Sequence, residues 1–210
     1  MKYPNPSLRA DQLTVAWQSA SLLLDYPDDA LFSRLGLIQR AATELPDAVG
    51  GPLHATARSL ASGKLSTLQE RYVETFDNRR RHNLYLTYFA HGDTRRRGVA
   101  LLRFKQAYLR AGFVLDESEL PDHLCVVLEF AATVDQRLGW RLLLDHRAGL
   151  ELLRLALAEG ESPWLGAVQA VTATLPALGG DEHEAVARLA AEGPPHEEVG
   201  LTPYAFGGQR

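Results

Sequence analysis

One cysteine, Cys125, is present in a chain of 210 residues. A lone thiol can close no internal disulfide and cannot build a structural zinc site, which fits a reducing compartment. No apolar run approaches the roughly 18 residues that suggest a membrane-spanning helix, so direct membrane insertion is not expected. Met1-Lys2-Tyr3-Pro4-Asn5-Pro6 lacks the apolar core of a secretory signal. The expected location is cytoplasmic. There is no basic excess, and a net charge of −4 argues against a general nucleic-acid binder. β-branched residues are sparse in the first half, and no stretch there alternates apolar and polar residues, which excludes a sheet protein. No repeat of fixed period and no low-complexity tract occurs.

The usual reactive constellations are missing too. The histidines are His54, His82, His91, His123, His146, His183 and His196. No two have the i, i+4 spacing of a helical zinc site, and there is no HExxH or cysteine-pair pattern. No metal and no cofactor of the chain's own is therefore expected. There is no glycine-rich nucleotide fingerprint and no phosphate loop. Cys125 reads as a buried structural thiol. Asp122 and His123 form a candidate acid/base pair, but neighbours on a helix do not face each other.

What is present is helical. Hydrophobic content of 46% and charged content of 23% are ordinary for a globular domain, and the length suffices to bury a core. Leu13, Trp17, Ala20 and Leu24 predict a helix over 10–25, ended by Tyr26-Pro27. Asp28 or Asp29 can cap the next, which carries Leu31, Leu35 and Ile38 inward. Gly50-Gly51-Pro52 reads as a turn before a short helix with Leu53, Ala57 and Leu60. Ser66 with Gln69 offers a capping box for a helix to about residue 77, with Leu68, Tyr72 and Phe76 inward. Residues 84–91 read as helical, stopped by Gly92. Asp93 or Thr94 can cap a helix carrying Ala100, Leu101, Phe104, Tyr108 and Ala111. A central helix is expected from Pro121 to about Leu138, broken at Gly139-Trp140. Another should cover 141–159, one should open at Ser162-Pro163, and a last one should run from Asp181. The fold class is all-α, a single-domain bundle of about eight to ten helices. Residues 1–192 form the domain, and 193–210 a C-terminal arm or disordered tail.

Residues 119–131 organise this frame. Pro121 suits the first position of a helix, and Asp122 then meets the positive end of its dipole. Upstream, Arg79-Arg80-Arg81 and Arg95-Arg96-Arg97 flank an aromatic segment with Tyr85, Tyr88 and Phe89. Some of these aromatics should face outward or line a groove. Charged runs are usually solvated. Arg95, Arg96 and Arg97, however, lie where cations oppose a helix dipole, a placement better tolerated opposite acidic partners or a bound anion.

The run from Glu70 to Ala132 resembles the NarJ-type nitrate reductase assembly chaperones, a branch of the TorD-like redox-enzyme maturation proteins. The carrying residues are Tyr72-Val73-Glu74-Thr75-Phe76-Asp77, Leu84-Tyr85-Leu86-Thr87-Tyr88-Phe89, Gly92-Asp93-Thr94-Arg95, Gly98 and Glu119-Leu120-Pro121-Asp122-His123-Leu124 through Phe130. The wider family reads Glu-Pro-x-Asp-His, whereas here Pro121 falls one place later. The resemblance implies a TorD-like helical chaperone rather than an enzyme. Such a protein binds the N-terminal segment of the nitrate reductase catalytic alpha subunit, assists molybdenum cofactor insertion in nitrate assimilation, and is absent from the finished enzyme. Tyr85, Tyr88 and Phe89 would supply apolar contact to that peptide. Asp122 and Glu119 would meet its basic residues, and His123 would make binding pH-dependent. Transient contact with the molybdenum cofactor is compatible with this role. Two other readings stay open. One is a phosphate-bearing ligand, a nucleotide or the pterin cofactor, on Arg79–Arg81 and Arg95–Arg97. The other is acid/base catalysis by His123.

Overall fold

A computed structural model describes residues 8–116 and 119–193. Among them run eleven α-helices: α1 (Ala10–Leu24), α2 (Asp29–Thr43), α3 (Asp47–Ala61), α4 (Leu65–Tyr72), α5 (Tyr88–His91), α6 (Arg95–Arg110), α7 (Leu124–Thr133), α8 (Gln136–Asp145), α9 (Arg147–Glu159), α10 (Leu165–Ala173) and α11 (Gly180–Glu192). The only extended pairing among the described residues is an isolated antiparallel bridge, Tyr85 to His123. The proposed tail beyond Gly193 lies outside the described residues. No described helix is long and apolar enough to cross a membrane.

The core forms around α1, which touches α2, α3, α7 and α10. Trp17, Ala20, Leu23 and Leu24 are all fully buried on it. Burying a side chain of this kind stabilises by roughly 1.5–3 kcal/mol. Three polar side chains around α1 find partners. Trp17 Nε1 donates to Thr174 Oγ1 at 3.0 Å, and Ser21 Oγ donates to the Cys125 carbonyl at 2.9 Å. The Tyr72 hydroxyl donates to the Leu24 carbonyl at 2.9 Å. Asp28 caps α2, its carboxylate accepting the Leu31 N–H at 2.7 Å.

Several expected boundaries move, each for a local reason. Gly50-Gly51-Pro52 is not a turn but lies inside α3. A Cβ on Gly50 would stand 2.1 Å from the Ala42 carbonyl oxygen, so that glycine serves the close approach of α2 and α3. Lys64, not Ser66, precedes α4, and Gln69 donates to the Pro27 carbonyl instead of closing a capping box. The end of that helix widens into a π-helical turn, Val73–Asp77. Residues 84–87 are not helical, because the bridge to His123 takes the Leu84 carbonyl and the Leu86 N–H while Asn83 and Asp122 take the Tyr85 and Thr87 N–H groups. Pro121 and Asp122 precede α7 rather than opening it, and His123 is the cap residue. The central helix ends at Thr133, since Asp135 caps α8 by accepting the Leu138 N–H at 2.9 Å. Gly139 is therefore inside α8, where a Cβ would come within 2.3 Å of the Ala131 Cβ. His146 divides the expected 141–159 helix into α8 and α9.

Candidate functional site

Two loops cross beneath the start of α7. The Leu86 N–H donates to the Asp122 carbonyl at 3.0 Å, and the Leu124 N–H donates to the Leu84 carbonyl at 2.8 Å. Asn83 steadies the first loop by accepting the Tyr85 N–H at 2.7 Å. Tyr108, on α6, donates its hydroxyl to the Pro121 carbonyl at 2.6 Å. This crossing sets the Tyr85 and His123 rings edge to face, with centroids 5.1 Å apart. Both side chains are partly exposed, and Glu119 and Leu120 are exposed just before them.

Asp122 lies under that surface and is fully buried. Its Oδ2 accepts the Thr87 N–H at 3.1 Å and the Thr87 hydroxyl at 2.5 Å. Thr87 Oγ1 in turn accepts from Arg97 Nε at 3.3 Å. Arg97 Nη2 stands 3.8 Å from Asp122 Oδ2, and Arg97 Nη1 pairs with Asp93 at 3.3 Å. The guanidinium carbon lies 5.2 Å from the Tyr85 ring centroid and 6.0 Å from that of Tyr88. Arg97 thus stands in the first turn of α6 against the dipole, but opposite a buried carboxylate and two aromatic faces. Asp122 Oδ1 and Arg97 Nη2 make no hydrogen bond among the described residues.

Tyr88 and Phe89 are buried rather than outward. Phe89 packs on Gly149, where a Cβ would come within 2.9 Å of its ring. Arg79, Arg80 and Arg81 are exposed and line a cleft of about 470 Å³ with His82, Ala156, Glu159 and Gly160. They sit at the C-terminal end of α9, where cations complement the dipole. Arg81 pairs there with Glu159 at 3.5 Å. Arg95 and Arg96 are exposed on α6, so Arg97 alone of its triplet reaches Asp122.

Burial pushes the His123 imidazole below its ordinary range, and nearby Glu119 opposes that only in part. Burial thus favours the neutral form of the His123 ring, which is partly exposed. Burial, then Glu119 and Asp122, push the Tyr85 phenol up. The Cys125 thiol is raised well above its usual range by burial, which makes it a poor nucleophile. No group of three or more metal-ligating side chains occurs among the described residues.

Residues 42–170, from the end of α2 into α10, match the family described as nitrate reductase delta subunit. The chain belongs to the nitrate reductase delta subunit family. It is 31% identical over 169 residues to the probable nitrate reductase molybdenum cofactor assembly chaperone NarJ of Bacillus subtilis, covering 79% of this chain and 90% of that protein. It is 34% identical over 145 residues to the nitrate reductase molybdenum cofactor assembly chaperone NarJ of Escherichia coli K12, covering 68% and 61%. Identity reaches 41% over 164 residues with the nitrate reductase-like protein NarX of Mycobacterium tuberculosis. That match covers 78% of this chain but only 25% of NarX, so the chain spans about a quarter of that relative.

In this delta subunit family member, sequence reasoning assigned no site role to Thr87, Asn83 or Tyr108 and missed the specific part played by Arg97. Arg97 carried a partial signal, its i, i+4 relation to Asp93. Thr87 carried none, because its role depends on a loop crossing between segments distant in the chain.

Proposed function

We propose that the chain is an assembly chaperone that binds the N-terminal segment of the nitrate reductase alpha subunit and holds it for molybdenum cofactor insertion. The observation that carries this reading is the Tyr85–His123 crossing, which puts an aromatic face, an imidazole ring and the exposed Glu119 side by side. The names of the NarJ relatives support the assembly role. Tyr85, His123 and exposed Leu120 offer apolar and stacking contact to one face of an amphipathic peptide. Glu119 offers charge to its basic residues. Asp122, Tyr88 and Phe89, being buried, act from beneath. Asp122 fixes Thr87 and Arg97, and these fix Tyr85. The chaperone works in the cytoplasm and touches the cofactor transiently.

The test is capture of the alpha subunit by the tagged full chain in cells expressing the nitrate reductase operon. Retention of the alpha subunit, lost when its N-terminal segment is deleted, is the expected result. Retention that survives that deletion refutes the peptide assignment.

A second reading is favoured by the cleft of about 470 Å³ beside Arg79–Arg81, which has room for a phosphate-bearing nucleotide or pterin. Binding there would weaken steeply with salt. It would also disappear in Arg79→Ala/Arg80→Ala.

A further inference from the structure

The outer face of α6 takes no part in the Tyr85–His123 surface. Ala100, Phe104 and Tyr108 hold the helix to the body. On the opposite side Val99, Leu102 and Leu109 are 56%, 57% and 61% exposed. Val114, just past the helix, is 78% exposed. At 100° per residue, Leu109, Leu102 and Val99 fall within about 80° of one another, a narrow stripe that also holds the exposed Gln106 between Leu102 and Leu109 and begins at Arg95. Lys105 lies about 60° to one side of Leu102, and Arg110, Arg103 and Arg96 lie about 80–120° to the other. The stripe is continued past Leu109 by a recess of about 170 Å³ among Tyr108, Phe113, Val114 and Leu115.

The charge on this helix runs against that of the chain. α6 holds Arg95, Arg96, Arg97, Arg103, Lys105 and Arg110 and no acidic residue, in a chain of net charge −4. All but Arg97 are exposed. An apolar stripe flanked by cations is the pattern of a helix lying in a lipid interface, with aliphatic side chains in the acyl boundary and basic heads reaching up to phosphates.

We propose that the outer face of α6 is a docking surface for an anionic lipid bilayer, on which the chain rests peripherally. The surface is the ridge of a single helix with cations on both flanks, which complements the plane of an anionic bilayer. A second copy of this face would set like charges against like. The basic peptide proposed for Glu119 would be repelled here. Arg97, which carries the ion pair to Asp122, points to the opposite side of α6, so both surfaces can be occupied together.

Vesicle flotation of the full chain tests this. Phosphatidylcholine vesicles containing about one-third phosphatidylglycerol should carry the protein up, and pure phosphatidylcholine vesicles should not. Salt at about 0.5 M should release it. Leu102→Glu/Leu109→Glu should abolish flotation. Arg103→Ala/Arg110→Ala should lower partitioning on the order of 25-fold, at about fivefold per basic residue. All four side chains are exposed, so helicity and the unfolding midpoint should stay unchanged in both variants. The proposal is overturned by no flotation with anionic vesicles, by equal flotation with neutral ones, or by flotation that survives the leucine substitutions. A dimer in sedimentation that Leu109→Glu dissolves, or capture of an acidic polypeptide in place of vesicles, would also overturn it.

Discussion

Asp122→Ala removes the acceptor on which the loop crossing depends. Two hydrogen bonds from Thr87 end on its carboxylate, at 3.1 and 2.5 Å, and the residue is fully buried. Hydrogen bonds to a charged group contribute about 1.5–3 kcal/mol each, and stranding the donors adds a desolvation cost. The ion pair with Arg97 contributes less, because it is long at 3.8 Å and Arg97 retains Asp93. Breaking a buried pair costs about 3–5 kcal/mol. With the pair discounted, a loss of about 3–4 kcal/mol is expected. Asp122→Asn keeps one acceptor oxygen for Thr87 but turns a donor or a neutral group toward Arg97, and should cost about 1–2 kcal/mol. Urea unfolding followed by circular dichroism at neutral pH measures both. Thr87→Val, which removes only the hydroxyl, should couple to Asp122→Ala by about 1–2 kcal/mol in a double-mutant cycle. If Asp122→Ala unfolds at the wild-type midpoint, the carboxylate does not hold the crossing and the reasoning fails.

Gly139→Ala should destabilise by about 1–3 kcal/mol in the same assay, because the added Cβ would meet Ala131 across the α7–α8 contact. A neutral outcome would mean that this contact is slack. Thr174→Val leaves the buried Trp17 indole N–H without its acceptor and should cost about 1–3 kcal/mol. The pH profile follows from His82, His123 and His146, each pushed down chiefly by burial. Their folded values lie below the unfolded value of 6.5, so between the two the unfolded chain binds more protons. Stability should be full above about pH 6.5 and fall as the pH drops through the folded values. His146→Gln should flatten part of that slope. A urea midpoint that stays level from about pH 8 to about pH 5.5 contradicts the burial of these rings.

The helices that were legible in the sequence are those whose apolar spacing meets a hard stop. α1 ends before Pro27, α2 is capped by Asp28, and Gly92 takes positive φ where a left-handed stop was expected. Breaks at Thr133 and His146 were hidden, because inward apolar residues keep a helical seven-residue spacing across each, Ala131 to Leu138 and Leu143 to Leu150. Gly50 and Gly139 misled for one reason. In a packed bundle, a glycine chosen for close helix approach looks in sequence like one chosen for a turn. At the candidate site, Tyr85 and His123 could be named from their residue types, and the acid–arginine compensation could be anticipated for the triplet as a whole. That Arg97 alone meets Asp122, through Thr87, follows from the antiparallel crossing, which no local spacing encodes.

Calorimetric titration of the alpha subunit's N-terminal peptide into the full chain tests the central claim most directly. The wild type should bind one peptide. Tyr85→Ala should weaken binding at least about tenfold, as expected for an aromatic anchor. Glu119→Gln, at an exposed position, should weaken it and reduce its salt dependence, with helicity retained in both variants. Equal affinity for wild type and Tyr85→Ala, or no binding by the wild type, would contradict the account.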